Sequence, residues 1–266
     1  MSVAPPTIDL NGDVGEWDST ASDAAARLQA DIDLAVSLSS LNVACGGHAG
    51  DPGSMRALVT LAKERGLALG AHPSFPDRSG FGRRTMTLAP AEIERLVSEQ
   101  VGALVRIAGE EGIDVGHVKP HGALYNLAAT DTTVADRIAR GVARVNPRLV
   151  LVALSGSAAI DAGARAGLAT ASEVFADRTY ESNGTLTPRT VAGSLLSDPD
   201  AAAARLVRMI REGVVSSRQG TLVPVTAMTA CIHGDTPESV DFARRLRAAL
   251  CAAGIDIARR GVDPLA

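Results

Sequence analysis

Aromatic side chains are scarce. Phe, Tyr and Trp make up only 3% of the 266 residues, which removes the usual platform for stacking single-stranded bases. A basic excess is missing as well: 26 Lys and Arg face 30 Asp and Glu, for a net charge of −4. Nothing here neutralises a phosphate backbone, so nucleic acid is not an expected partner. No apolar run approaches the roughly 18 residues that cross a bilayer, so no membrane association is expected. Three cysteines are too few, and odd in number, for a disulfide framework. The opening Met-Ser-Val-Ala-Pro-Pro lacks a charged segment followed by an apolar core. The expectation is a cytoplasmic protein with reduced thiols. Lysine is the rarest basic residue, two against 24 arginines, and there are five histidines. The phosphate loop Gly-x4-Gly-Lys-Ser/Thr, the Gly-x-Gly-x-x-Gly turn, the Gly-x-Ser-x-Gly elbow and His-Glu-x-x-His are all absent.

What remains is an ordinary globular composition, 46% hydrophobic and 21% charged, in which short apolar runs alternate with helical patterns. Strands are expected at Thr7–Leu10, Leu41–Ala44, Leu67–Gly70, Gly116–Lys119, Leu149–Leu154, Leu168–Val174, Ala230–His233 and Ile255–Ala258. Helices are expected at Asp23–Leu38, Pro52–Arg65 with Asp51 as cap, Pro90–Glu111, from Asp131 to Val145, Ser157–Ala166, Pro199–Glu212 and Pro237–Ala253. Seven or eight strand–helix units in about 250 residues favour a closed parallel barrel over an open sheet. Asp177–Thr190 is polar and glycine-containing, and reads as a long loop of the kind that covers sites. No linker divides the chain. The expected organisation is an extension over 1–6, one barrel over 7–258 and a tail over 259–266.

The polar clusters follow the strands. Asp9-Leu-Asn11-Gly-Asp13-Val-Gly-Glu16, Cys45-Gly-Gly-His48-Ala-Gly-Asp51, Gly70-Ala-His72-Pro-Ser74, His117-Val-Lys119-Pro-His121, Glu173-Val-Phe-Ala-Asp177-Arg178 and His233-Gly-Asp235 each lie at the C-terminal end of an expected strand. In a parallel barrel these ends share the face that carries barrel active sites. All five histidines and Lys119 fall in them.

Each residue type also has a plainer use. Asp9 and Asp13 suit turns and caps, although three acids within eight residues repel unless they hold a cation, share a proton or face a basic group. His48 could be a satisfied core histidine, but its glycine neighbours let a ligand approach the backbone. His72-Pro73 and Pro120-His121 are stiffened by proline. His117 shares a strand face with Lys119 and could merely support it. Asp51 is most economically a helix cap, with orientation of His48 as the alternative. Cys45 near His48 and Cys231 near His233 do not match a zinc-finger spacing, and Cys251 reads as helix packing.

Asp9–Glu16, Asn42-Val-Ala-Cys-Gly-Gly-His-Ala-Gly-Asp-Pro52, Gly70-Ala-His-Pro-Ser-Phe-Pro-Asp77, Gly80-Phe-Gly-Arg-Arg84, His117-Val-Lys-Pro-His-Gly-Ala-Leu-Tyr-Asn126, Ser172–Arg178 and His233-Gly-Asp-Thr-Pro237 together resemble the LamB/YcsF family, in order, from about Thr7 to Ala258. Gly12 and Val14 stand where Ala and Leu would be expected, and neither change removes a charged group. The resemblance implies an α/β fold, a seven-stranded TIM-like (β/α) barrel of the glycoside hydrolase/deacetylase type. It implies ATP-dependent opening of 5-oxo-L-proline to L-glutamate, with ADP and phosphate released. ATP would be a co-substrate, with Mg. The chain would be the A component of a three-component 5-oxoprolinase, working with the B and C subunits.

Opening a lactam needs an activated carbonyl, a positioned water and a protonated leaving nitrogen. Asp13 or Glu16 is the expected base, and His48, His72 or His121 the expected acid. Lys119, Arg84 and Arg178 are candidates for carboxylate or phosphate. The catalytic set is therefore Asp13, Glu16, His48, His72, Lys119 and His121. The binding set is Asp9, Asn11, Asp51, Arg84, Glu173, Arg178, His233 and Asp235. No metal ligands are assigned. One alternative is a metal-dependent amide or acetyl hydrolase without ATP, in which Asp9 or Asp13 with His48 and His72 would hold the ion. Another is a non-catalytic component that presents 5-oxoproline to its partners.

Overall fold

A computed structural model describes residues 5–232 and 239–259. Ten strands and eight helices follow one another as β1 (Thr7–Val14), α1 (Ala24–Ala35), β2 (Ser40–Ala44), α2 (Pro52–Arg65), β3 (Ala68–His72), α3 (Pro90–Glu110), β4 (His117–Val118), α4 (Gly122–Ala128), α5 (Thr132–Val145), β5 (Val150–Leu154), α6 (Ala158–Arg165), β6 (Ala169–Phe175), α7 (Pro199–Glu212), β7 (Val214–Ser216), β8 (Leu222–Pro224), β9 (Thr229–Ile232), α8 (Ser239–Ala252) and β10 (Asp256–Ile257). Seven of the strands, β1-β2-β3-β4-β5-β6-β9, are parallel neighbours, and β9 closes onto β1. The expected seven-stranded barrel is therefore present. β10 pairs with Thr7 and Ile8 of β1, just before the stretch Asp9–Gly12 that β9 takes up.

The helix boundaries follow local chemistry. Extended Asp51 accepts hydrogen bonds from the Gly53 and Ser54 amides, the Ser54 hydroxyl accepts one from the Asp51 amide, and Pro52 needs no amide partner. Gly66 ends α2 at φ 64°, a left-handed cap that glycine adopts without strain. Asp131 caps α5 by accepting from the Thr133 and Val134 amides, and Asp198 caps α7 by accepting from the Asp200 amide.

Alternation along the strands sorts the barrel into two environments. Ile8, Leu10, Leu41, Val43, Leu69, Val118, Leu151 and Val174 are buried in the core shared with the helices, together with Leu58, Val97, Leu104, Ile138 and Leu206. The opposite faces carry Asp9, Asn11, Asp13, Ser40, Asn42, His72, His117, Glu173, Thr229 and Cys231, all buried. Ala68, Val150, Val152 and Ala171 form a small separate apolar cluster with Met228. A polar barrel interior is stable only if its groups pair with one another, and here most of them do.

Two elements were not expected. α4 is an additional short helix between β4 and α5, and its seven residues are too few to show a hydrophobic period. β7 and β8 form an antiparallel hairpin outside the barrel, with only three residues per strand. The 177–190 stretch is a long loop, as expected, and isolated bridges join Arg178 to Leu195 and Tyr180 to Leu186. Among the described residues no helix is long and apolar enough to cross a membrane.

Candidate active site

Lys119 follows β4 and is almost wholly buried. Its Nζ lies 2.9 Å from Asp13 Oδ1, 3.0 Å from Glu173 Oε1, 3.0 Å from Asn11 Oδ1 and 2.9 Å from Cys231 Sγ. Burial penalises the ammonium, but Asp13 and Glu173 outweigh it and hold the Lys119 pKa well above the usual lysine value. Burial pushes the Cys231 thiol well up, so it meets Lys119 as a neutral group. Beneath this pair the network continues. Asn42 donates to Asn11 and Asp13, and its carbonyl oxygen is 2.9 Å from His117 Nε2. Asn11 donates to Glu173 and Thr229. Tyr125, on α4, donates to Glu173 at 2.6 Å. Asp9 lies deepest, accepting from Ser39, Ser40 and Thr229, and burial raises its pKa to about 6. At Gly70 on β3 a side chain would collide with the His117 ring, so glycine makes room for that imidazole.

Beside Lys119 three imidazoles come together. His48 and His121 stack at 3.7 Å between ring centroids, and His72 meets both edge-on. His72 Nδ1 is 2.6 Å from the Lys119 carbonyl oxygen, and His121 Nε2 is 3.0 Å from that of Phe81. A carbonyl only accepts, so those nitrogens carry the ring protons. The other two nitrogens, His72 Nε2 and His121 Nδ1, face each other at 2.9 Å. Glu16 Oε1 lies 2.9 Å from His48 Nε2 and 3.6 Å from His121 Nδ1, and Asp13 Oδ2 lies 3.3 Å from His72 Nε2. Burial lowers the His48 pKa to about 3 and takes that of His121 well below the usual histidine value.

The Gly80–Arg84 segment wraps this cluster. Phe81 holds a left-handed φ of 53° and packs edge-on against His48 and His121. At Gly82, φ 63°, a Cβ would come within 2.8 Å of His48 Cβ and 3.0 Å of His121 Cδ2.

A cavity of about 690 Å³ opens over the site. Asp13, His72, Lys119 and His121 line it, with Arg83, Tyr125 and the loop residues 183 and 185–190. Arg178 also lines it, yet is only 4% exposed. One of its terminal nitrogens donates to the Thr187 carbonyl at 2.6 Å. Its Nε has no hydrogen-bond partner, and no carboxylate pairs with it among the described residues. Burial, then the nearby Arg189, lowers its pKa.

Of the residues expected at the site, Asp13, His72, Lys119, His121 and Arg178 line the cavity. Glu16 and His48 join through the imidazole cluster, and Asn11 and Glu173 through Lys119. Three are placed elsewhere. Asp51 is committed to the amides of Gly53, Ser54 and Ser19, and does not orient His48. Asp9 is enclosed beneath the network. Arg84 pairs with Asp77, while its neighbour Arg83 faces the cavity and lies over the Phe81 ring at 5.0 Å. His233 and Asp235 lie outside the described residues. Tyr125, Asn42 and Arg83 escape the sequence reading. Tyr125 and Asn42 stand inside the quoted motifs but carry no charge, and nothing local separates Arg83 from Arg84.

The sequence model of the LamB/YcsF family matches residues 8–262. The chain is 49% identical over 250 residues to a protein of Bacillus subtilis named as the A subunit of 5-oxoprolinase, covering 94% of this chain and 95% of that one. A protein of the same name from Chloroflexus aurantiacus is 50% identical over 251 residues, covering 94% and 97%. The crystal structure of a lactam utilization protein from Thermus thermophilus superposes with a TM-score of 0.85 at 42% identity, covering 95% and 99%.

Proposed function

Because the chain belongs to the LamB/YcsF family, we propose that it is the A component of an ATP-hydrolysing 5-oxoprolinase, a multi-subunit enzyme that opens 5-oxo-L-proline to L-glutamate. Relatives of about half-identical sequence, matched over more than nine-tenths of both chains, are named as the A subunit of 5-oxoprolinase. The structural observation that carries the reading is the pairing of two cationic groups on one cavity: Arg178, buried without a carboxylate partner among the described residues, and Lys119, held charged by Asp13. A five-membered lactam with a carboxylate needs one cation for each end.

In this reading Arg178 takes the substrate carboxylate, for which a guanidinium is suited geometrically. The Lys119 ammonium faces the lactam oxygen and stabilises the negative charge that grows there. Asp13 takes a proton from the attacking water as the C–O bond forms, and returns it to the ring nitrogen as the C–N bond breaks. This departs from the expected imidazole acid: His48 and His121 are held neutral by burial, and the ring protons of His72 and His121 are committed to carbonyls. ATP is the co-substrate, with Mg, and the B and C subunits are the partners; a second water takes up the γ-phosphoryl group of ATP, so that ADP and phosphate leave with glutamate.

The test is ADP release by this chain with and without the B and C subunits, and with and without 5-oxoproline. Substrate-dependent ADP release only in the full mixture supports the reading; an assembled complex without coupling refutes it. The imidazole cluster favours one second reading, a metal-dependent amide hydrolase. That reading requires the chain alone to hydrolyse an amide without ATP and a chelator to stop it.

A further inference from the structure

We propose that Glu16, His48, His72 and His121 form a binding site for one divalent transition-metal ion of the zinc and cobalt class, at the wall of the cavity beside Lys119. Each residue offers one ligand atom, and the four atoms lie within 4.8 Å of one another. Two ligands about 2.1 Å from a common ion stand about 3.0 Å apart at a right angle and about 3.4 Å apart at a tetrahedral one. The facing atoms here are separated by 2.9, 2.9 and 3.6 Å, which is the edge length of such a polyhedron.

The protons give a second argument. The carbonyls of Lys119 and Phe81 take the ring protons of His72 and His121, so the nitrogens facing each other across 2.9 Å both present lone pairs. Two lone pairs at that distance repel unless a cation lies between them. Carbonyls fixing the far nitrogen are also the usual support of a ligating histidine. His48 differs: without an ion its Nε2 donates its proton to Glu16, and an ion at Nε2 would move that proton to the buried Nδ1, which has no partner among the described residues, so His48 contributes least to affinity. Three imidazoles with one carboxylate suit borderline divalent ions, whereas Mg²⁺ and Ca²⁺ prefer oxygen ligands. His72 and His121 border the cavity, so an open coordination position would face it.

This site does not depend on the lactam reading, because it is tested by binding to the full chain alone. Metal-stripped protein is titrated with Zn²⁺ by calorimetry and with Co²⁺ by visible absorption. The expected result is one equivalent per chain, a Co²⁺ spectrum with nitrogen ligation, and a rise in Tm with Zn²⁺. His72→Ala and His121→Gln should each weaken Zn²⁺ at least tenfold, with a smaller loss for His48→Ala. Circular dichroism of each metal-free variant identifies which of them are folded and interpretable, and the Co²⁺ spectrum of the wild type needs no variant. Absence of stoichiometric binding overturns the proposal. So does one equivalent held with unchanged affinity by the folded His72 and His121 variants, which would put the ion elsewhere. So would imidazole ¹⁵N shifts, with Zn²⁺ present, that show a shared proton between His72 and His121.

Discussion

The barrel interior and its mouth are built from the same residue types, but they treat polarity differently. Below Lys119 the polar groups close on one another: Asp9 with two serines and a threonine, Asn11 with Glu173 and Lys119, Tyr125 with Glu173. At the mouth they do not. Among the described residues Arg178 keeps an unpartnered Nε in a buried setting, His48 keeps an unpartnered Nδ1, and two imidazole lone pairs face each other. Phe81 holds a backbone conformation that non-glycine residues usually avoid. Unmet polar groups cost stability. Arg178 and the His72–His121 pair border the cavity, which marks the side that receives a ligand, and the network around Lys119 marks the scaffold.

Lys119 belongs to both regions, so its removal should have the largest effect. Lys119→Met leaves Asp13 and Glu173 buried without their cation. It should cost about 3–5 kcal/mol of stability and lower kcat of the assembled enzyme by about a thousandfold or more, read by thermal melts and ADP release. A variant of near-native stability would break the distinction drawn here.

Arg178→Ala should separate the two regions. Among the described residues Arg178 meets the Thr187 carbonyl and no carboxylate. Its loss should lower Tm by much less than that of Lys119, while KM for 5-oxoproline increases by about ten- to a hundredfold, roughly the 1.5–3 kcal/mol of a hydrogen bond to a charged group. A fall in Tm with KM unchanged would place Arg178 in the scaffold.

Asp9 supplies a pH test of the interior. Its folded pKa, about 6, is above its ordinary value of 3.8. For a carboxyl group with a raised pKa, the folded state is favoured while the group is protonated. The stability is complete below about pH 4 and is lost as pH rises through 6. The penalty above pH 6 is on the order of 3 kcal/mol. Asp9→Asn should therefore gain stability relative to the wild type as pH rises from 4 to 7, measured as the difference between their Tm–pH curves. A constant difference across that range would contradict the assignment.

Smaller effects sharpen the border of the mouth. Gly82→Ala strains a left-handed position and presses a methyl group against His48 and His121. It should cost about 1–2 kcal/mol and weaken Zn²⁺ binding, as calorimetry would show. Arg84→Ala should be nearly silent in KM because the guanidinium is exposed and paired with Asp77, whereas Arg83→Ala should raise KM.

Much of this division is legible along the chain. The caps at Asp51 and Asp131 read correctly because capping is local. The strand ends carrying Asp13, His72 and Lys119 read correctly because barrel strands place their C-terminal ends on one face. What fails is whatever depends on meeting in space. Glu16 and His121 are more than a hundred residues apart, and only barrel closure brings them into one cluster. Asp9 and Asp13 sit two inward positions apart on β1 and look alike in sequence, but one is sealed beneath the network and the other borders the cavity. Arg83 and Arg84 are told apart by the left-handed turn at Phe81–Gly82, which no composition rule specifies.

The most direct measurement is ADP release by the complex of this chain with the B and C subunits, comparing wild type with folded Arg178→Ala and Lys119→Met chains over a range of 5-oxoproline concentrations. Expected are substrate-dependent ADP release with the wild type, a raised KM with Arg178→Ala, and loss of coupling with Lys119→Met. Full coupling at unchanged KM in both variants would show that the barrel mouth is not where the lactam is opened.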